Sequence, residues 1–376
     1  MSRSGAPKSG ATTLEDIAQA AGVSKATVHR VVTGSGPAST AARKKIAGVV
    51  KDLGYKPVRR SGDTGRRRQP VLGVIIRDVA DPFYSYLVKA VIKAAHPWEV
   101  LLGYSESNTS HLRRLEQILG TRRIEGILLV GDILDIDLCR QLADLEDPVV
   151  AVCSHLGPWS ADEAPSAGAD ADAEPDGDVH ASPRPEREQF ERIRVVKSDS
   201  EAGITDLYNL LRIKGHRRIA FVGAPDNKDL DERLKVYQTL TASENLPAGY
   251  VQKVAPSPDG GRVAIRSLFA LDEPPTAVMA AVDNIAIGAI QQVWQLGKKV
   301  GEDISITGFD DIPAAEYTWP RLTTVAQDVD RIAVEAVKVV RARLNGQDYE
   351  PPLLPTRLIE GNSVGSPPPA APEPAA

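Results

Sequence analysis

Polar and apolar positions keep a helical period through three short runs near the start of the chain. Leu14, Ile17, Ala18 and Ala21 fall on one side of a first helix, which Thr13 and Asp16 open as a Thr-x-x-Asp capping box and Gly22 closes. In "VSKATVHRVV", residues 23–32, Val28, Val31 and Val32 make a narrow apolar stripe behind Ser24, the expected cap. Lys25, Ala26, His29 and Arg30 gather on the opposite side. A third helix, capped by Ser39, turns Ile46, Val49, Val50 and Leu53 toward the first two and ends at Gly54-Tyr55, since Pro57 cannot continue it. Two short helices joined by a glycine turn, the second with small and basic residues outward, form the helix-turn-helix pattern. Its second helix enters the major groove of DNA.

From Val71 the helical period gives way to continuous aliphatic runs: "VLGVIIRDV", "EVLLGYS", "GILLVGD", "PVVAVCS", "RVVKSD", "RIAFVGA", "TAVMAAV" and "ISITGFDD". Most are followed by a helical stretch, the pattern of parallel strands buried on both faces. Eight or more strands exceed one doubly wound sheet. The fold class read from this is a small all-α helix-turn-helix domain followed by an α/β core of two similar parallel-sheet subdomains with a cleft between them. Ligands of such sheets sit beyond the carboxyl ends of the strands, which singles out Asp81 to Tyr84, Ser105 to Ser107, Cys153, Ser154, Asp283, Asp310 and Asp311.

Three segments have no period. Residues 58–70, "VRRSGDTGRRRQP", hold Arg59, Arg60, Arg66, Arg67 and Arg68 among glycines and read as a flexible basic linker. Residues 158–189 carry nine acidic side chains against two arginines with almost no aliphatic content, an insert expected to be disordered. The tail 361–376 is expected to be disordered on the same ground. The domains are therefore 12–57, the linker 58–70, a core 71–360 carrying the insert, and the tail.

Charge sharpens this division. The chain of 376 residues has a net charge of −5, but residues 1–70 hold 14 Lys plus Arg against 4 Asp plus Glu, and the remainder 31 against 46. Basic charge concentrated on the helix-turn-helix points to double-stranded DNA as its partner. Two cysteines, no apolar run of bilayer length and no apolar leader place the expected location in the cytoplasm, with no membrane partner.

In this order the parts resemble a transcription regulator of the lactose-repressor (LacI/GalR) family. The resemblance is carried by "TLEDIAQAAGVSKATVHRVV", "LGYKP", "LGVIIRDVADPFYSYL", "RRIEGILLV", "KGHRRIAFVG", "DERLKVY", "AVDNIAIGAI", "ISITGFDDIPAAEY" and "PRLTTVAQD". It implies that Lys25 and Ala26 face base edges, with Arg30 reaching a guanine or a phosphate, and that Ser24 and Thr27 hold phosphates. Thr13 and Leu14 complete the set, and His29 stands where serine is usual. The linker departs from the pattern: it has no leucine to wedge into the minor groove, so its five arginines are expected to track phosphates or a narrow minor groove, against the alternative of a solvated linker.

In the core the resemblance implies an effector pocket of Asp81, Phe83, Tyr84, Cys153, Arg233, Val282, Asp283 and Asp310. Asp81 would cap a helix, Phe83 stack on a ring, Arg233 bind polar groups and Asp310 accept hydrogen bonds. Plain core packing is the alternative for Phe83, and a strand-to-helix turn for Asp310 and Asp311. Cys153 stands where aspartate is common and Val282 where asparagine is, which implies an effector with fewer hydroxyls than a simple hexose, or a pocket that has lost its ligand. The function expected is a regulator, most simply a repressor, binding a near-palindromic operator as a homodimer under control of a sugar-like or less hydroxylated effector. The rival is a constitutive DNA-binding regulator. No metal-ligand spacing, cofactor fingerprint or nucleophile motif is present in the sequence, so neither an enzyme nor a cofactor is expected.

Overall fold

The computed structural model describes residues 13–33, 42, 45–46, 48–50, 69–76, 78–104, 124–131, 148–153, 193–223, 228–244 and 246–369. Contacts divide the chain into two units, Met1–Arg68 and Gln69–Ala376. The linker arginines, the insert 158–189, Ser39, Leu53 and the stop at residues 54–57 lie outside the described residues.

In the first unit, α1 (Leu14–Ala21) opens on the expected capping box. The Asp16 N–H donates to Thr13 Oγ1 at 3.3 Å, and the Thr13 N–H donates back to the Asp16 carboxylate at 2.7 Å. Gly22 closes the helix at φ 60°, a left-handed conformation that favours glycine. Ser24 Oγ accepts from the Thr27 N–H at 3.2 Å and starts α2 (Lys25–Thr33). Ile17, Ala18, Ala21, Val28 and Ile46 are buried together, with Leu14, Val31, Val49 and Val50 packed around them. Helical residues around Ile46 thus supply the third side of this small core.

The second unit has two parallel sheets. The first contains β1 (Val71–Ile76), β2 (Glu99–Tyr104), β3 (Ile124–Val130), β4 (Val149–Val152) and β5 (Arg194–Val196), in the order β2-β1-β3-β4-β5. The second contains β6 (Ile219–Gly223), β7 (Val251–Lys253), β8 (Ala277–Ala280) and β9 (Ser305–Thr307), in the order β7-β6-β8-β9. Antiparallel β10 (Thr324–Ala326) and β11 (Arg357–Ile359) form a separate ribbon. All eight expected strands are present. The sequence reading missed three, β7, β10 and β11, each of three residues.

Helices α3 (Pro82–Ala95), α4 (Ser200–Ile213), α5 (Lys228–Thr241), α6 (Pro258–Phe269), α7 (Asp283–Gln295), the short α8 (Pro313–Glu316) and α9 (Val329–Leu344) follow the strands. Gly261 and Gly288 let α6 and α7 touch backbone to backbone; a Cβ at Gly288 would fall 1.8 Å from the Pro258 carbonyl oxygen. That contact sets α7, whose first residue is Asp283. Helix α9 follows the second sheet in sequence but packs on α3 and the strands of the first. A Cβ at Gly126 would lie 2.5 Å from Val340. The chain therefore crosses between lobes three times: after β5, between β10 and α9, and again before β11.

One expectation is corrected. Residues 361–369, read as part of a disordered tail, are built into the second lobe. Ser363 is fully buried, donating to the Ile306 carbonyl at 2.6 Å and accepting from the Thr323 N–H at 2.8 Å. The Gly365 carbonyl lies 3.1 Å from Nε2 of buried His216, whose Nδ1 is 2.9 Å from Thr276 Oγ1. Small polar residues resemble linker by composition, yet here they satisfy backbone groups that burial would otherwise orphan.

Candidate functional site

Two sets of side chains are candidates, one in each unit. On α2, Ser24, Lys25, Ala26, His29 and Arg30 are exposed, Thr27 is half-buried, and Val28 turns inward. Arg30 Nε donates to the Ala26 carbonyl at 3.2 Å, so the arginine lies along its own helix, and Ser24 Oγ and Thr27 Oγ1 are 2.8 Å apart. Lys25 forms an ion pair with Glu15 of α1, which the sequence reading did not single out. Their separation of ten residues, on two different helices, left no periodic signal. Thr13 is exposed and Leu14 half-buried against the core. The Thr13 hydrogen bonds hold the Asp16 carboxyl below its ordinary range.

In the second unit, α5, the β9 end and the stretch after β10 converge. The Arg233 guanidinium lies 3.8 Å from the centroid of the Phe309 ring, donates to the Ala281 carbonyl at 2.6 Å and sits 3.5 Å from Asp310 Oδ1. Its Nε has no hydrogen-bond partner among the described residues. Gln327, on the second crossing, donates to the same Asp310 oxygen at 2.8 Å. The neighbouring Glu232 accepts from Lys197, on the first crossing, at 2.9 Å. Adjacent residues of α5 thus reach the first crossing directly, through Glu232, and the second by way of Asp310.

Backbone strain marks the same place. Among the described residues, the non-glycine residues with positive φ are Cys153 (53°), directly after β4, and Asp310 (115°) and Asp311 (54°), in the stretch after β9. Such conformations cost free energy and gather at functional sites. Burial raises the Asp81 carboxyl above its ordinary range despite the hydrogen bond from the Phe83 N–H and the weaker pull of Arg233. Burial likewise raises Asp311, against Arg357 and Arg321.

The remaining expected residues divide. Asp81 caps α3 as expected, accepting from the Phe83 N–H at 3.0 Å. Phe83 is 6% exposed and packs edge-on to Tyr84, which supports the core-packing alternative. Tyr84 is the half-buried aromatic of the pair. Cys153 and Val282 are buried in the core. Asp310 is no helix cap, because α8 begins after Ile312 without a side-chain cap. Asp283 belongs to the fold: it is fully buried, Thr324 donates to one oxygen at 2.6 Å and the Ile312 N–H to the other at 2.9 Å. Burial first, then repulsion from Asp310, pushes its carboxyl well above the usual range. Gln327, Phe309 and Lys197 were missed as site residues because their roles depend on partners distant in sequence.

Comparison with known proteins adds the following. A family model described as "Bacterial regulatory proteins, lacI family" matches residues 13–58, and one described as "Periplasmic binding protein-like domain" matches residues 208–364. The HTH-type transcriptional repressor CytR of Escherichia coli (strain K12) is 29% identical over 346 residues, spanning 90% of this chain and 91% of its own. Catabolite control protein A of Priestia megaterium is 26% identical over 355 residues, spanning 92% and 97%. Among solved structures, a transcriptional regulator CelR–cellobiose complex is similar at a TM-score of 0.63 and 27% identity, covering 94% of this chain and 99% of that one. A lac repressor dimer bound to operator and the anti-inducer ONPF reaches a TM-score of 0.64 at 21% identity, covering 95% and 100%, and shows the fold alone.

Proposed function

We infer that this chain, which belongs to the lacI family of bacterial regulatory proteins, represses transcription by binding a near-palindromic operator as a dimer, under control of a small molecule in its cleft. The observation that carries the reading is the exposed row Ser24, Lys25, Ala26, His29 and Arg30 on a helix anchored by Val28. Such a helix presents donors to the major groove while its partner helix fixes its angle. Arg59, Arg60 and Arg66 to Arg68 are assigned to phosphates, a reading that the salt dependence of binding checks. Two half-sites call for two copies of the head. Trp319, 79% exposed and lining a groove of about 480 Å³, and the 83% exposed Tyr317 two residues before it offer a surface for the second copy. Molar mass in solution tests this.

For the effector, Arg233 is the anchor. Its Nε is without an acceptor and its distance to Asp310 is loose, so a ligand oxygen would complete it. Valine and cysteine at 282 and 153 favour a compound with fewer hydroxyls than a hexose. The CelR complex, which holds cellobiose, is the natural contrast. The effector-free alternative is favoured by one observation: Arg233 and Asp310 are each less than a tenth exposed and already engaged with the protein.

Thermal unfolding of the full chain against sugars, sugar phosphates, polyols, nucleosides and small aromatic acids tests the reading. A ligand at about 100 times its dissociation constant stabilises by about 2.7 kcal/mol and raises the midpoint by a few degrees. A shift with a free hexose overturns the reading of Cys153 and Val282. Silence across the panel favours the effector-free regulator.

A further inference from the structure

We propose that Glu15 is a specificity-determining residue of the DNA-binding head: it holds Lys25, and the two together read one G·C base pair in each half-site. The inference rests on the operator-binding reading of the first unit. Of the two carboxylates on α1, Asp16 is occupied by the Thr13 cap. Glu15 has no such duty. Its side chain is 73% exposed and meets the ammonium group of Lys25, itself 60% exposed, at the start of α2. An exposed pair of this kind adds little to folding. On a surface that meets phosphates, a carboxylate also weakens binding to every duplex alike. What the pair contributes is discrimination.

The chemistry of the groove fits it. Guanine presents two acceptors, O6 and N7, to a lysine, while the cytosine paired with it presents an N4 donor to a carboxylate. O6 and N4 are themselves hydrogen-bonded and therefore adjacent. A donor and an acceptor held at contact distance on the protein match them side by side. An A·T pair also has two acceptors, N7 and O4, but its N6 donor stands between them, so Lys25 cannot bridge them as it bridges O6 and N7 of guanine. Without Glu15, Lys25 swings freely to the nearest phosphate, which carries no sequence information.

The test uses the full-length protein and its Glu15→Gln, Glu15→Ala and Lys25→Ala variants. Binding sites are selected from a randomised duplex pool with the wild type, and affinities are then measured for single base-pair changes and for random duplex across a salt series. The wild type is expected to prefer G·C over A·T at one position of each half-site. Both Glu15 variants should lose at least about fivefold of that preference. They should also bind random duplex more tightly, with a salt slope steeper by about one as Lys25 moves to a phosphate. Lys25→Ala should lose the same preference without the gain. Alanine is a strong helix former, so the two Glu15 variants guard each other against a folding artefact. If both keep the wild-type preference at every position, Glu15 is an ordinary surface carboxylate and the proposal falls. A wild type that selects no motif would instead overturn the operator-binding reading itself.

Discussion

The head offers its candidate side chains to solvent: Ser24, Lys25, Ala26, His29 and Arg30 are all exposed, and the Lys25–Glu15 pair lies open to water. The cleft withdraws its own. Arg233, Asp283 and Asp310 are 2%, 0% and 7% exposed, and each has protein partners. Groups on the first surface exchange one partner for another at little cost, because water and counterions already compete for them. Groups in the second give up a partner only if something of equal hydrogen-bonding capacity arrives. The head's candidate groups are therefore open to new partners, whereas Arg233, Asp283 and Asp310 are committed to partners within the fold.

The largest effect that would break this contrast is expected at Arg233. Replacing it with methionine leaves Asp310 buried without its counter-charge, and stability should fall by about 3–5 kcal/mol. Denaturant unfolding of the full chain reads this, and a loss no larger than that of a surface variant would show the cleft to be as open as the head. A smaller effect is expected at His216, where burial lowers the imidazole pKa. The unfolded chain then binds the proton more readily than the folded one. Stability should be whole above about pH 6.5 and decline as pH drops below it, until the folded group protonates too. His216→Gln should flatten that decline in unfolding curves taken between pH 5 and 8. The smallest effect belongs to Lys93 and Asp330, an exposed pair on α3 and α9 with side chains 79% and 68% accessible. Lys93→Ala should leave the unfolding midpoint where it was, and a clear drop would mean that surface pairs matter more here than the contrast allows.

The head was legible because its signals are local. A capping box, a left-handed glycine and an apolar stripe each lie within a few residues of the group they govern, and all three are present in the structure. The long strands were legible for the same reason. The cleft was only half legible. The strand-end residues were found, and the strained backbone of Cys153, Asp310 and Asp311 falls among them. Their roles were not, since Asp283 becomes a structural acceptor only once Thr324, 41 residues later, is folded against it. Gln327, Glu232 and Lys197 gain meaning only from the crossings between lobes. Ser363 and Gly365 show the same limit at the end of the chain, where composition described a tail and burial made it part of a core.

The threefold crossing of the chain also bears on how this protein is made. The head's two described helices and its small core are made of residues that leave the ribosome before either lobe of the core. Neither lobe of the core has that independence. The first lacks α9 until residue 344 has been added, and the second lacks β11 and the Gly365 backbone that meets His216 and Ser305 until residue 365 has. Until then the first sheet lacks the helix that packs on β3, β4 and β5, and β10 lacks its partner strand. They close almost together, once residues 344 to 365 have been added. A premature stop late in the reading frame would leave both lobes unfinished.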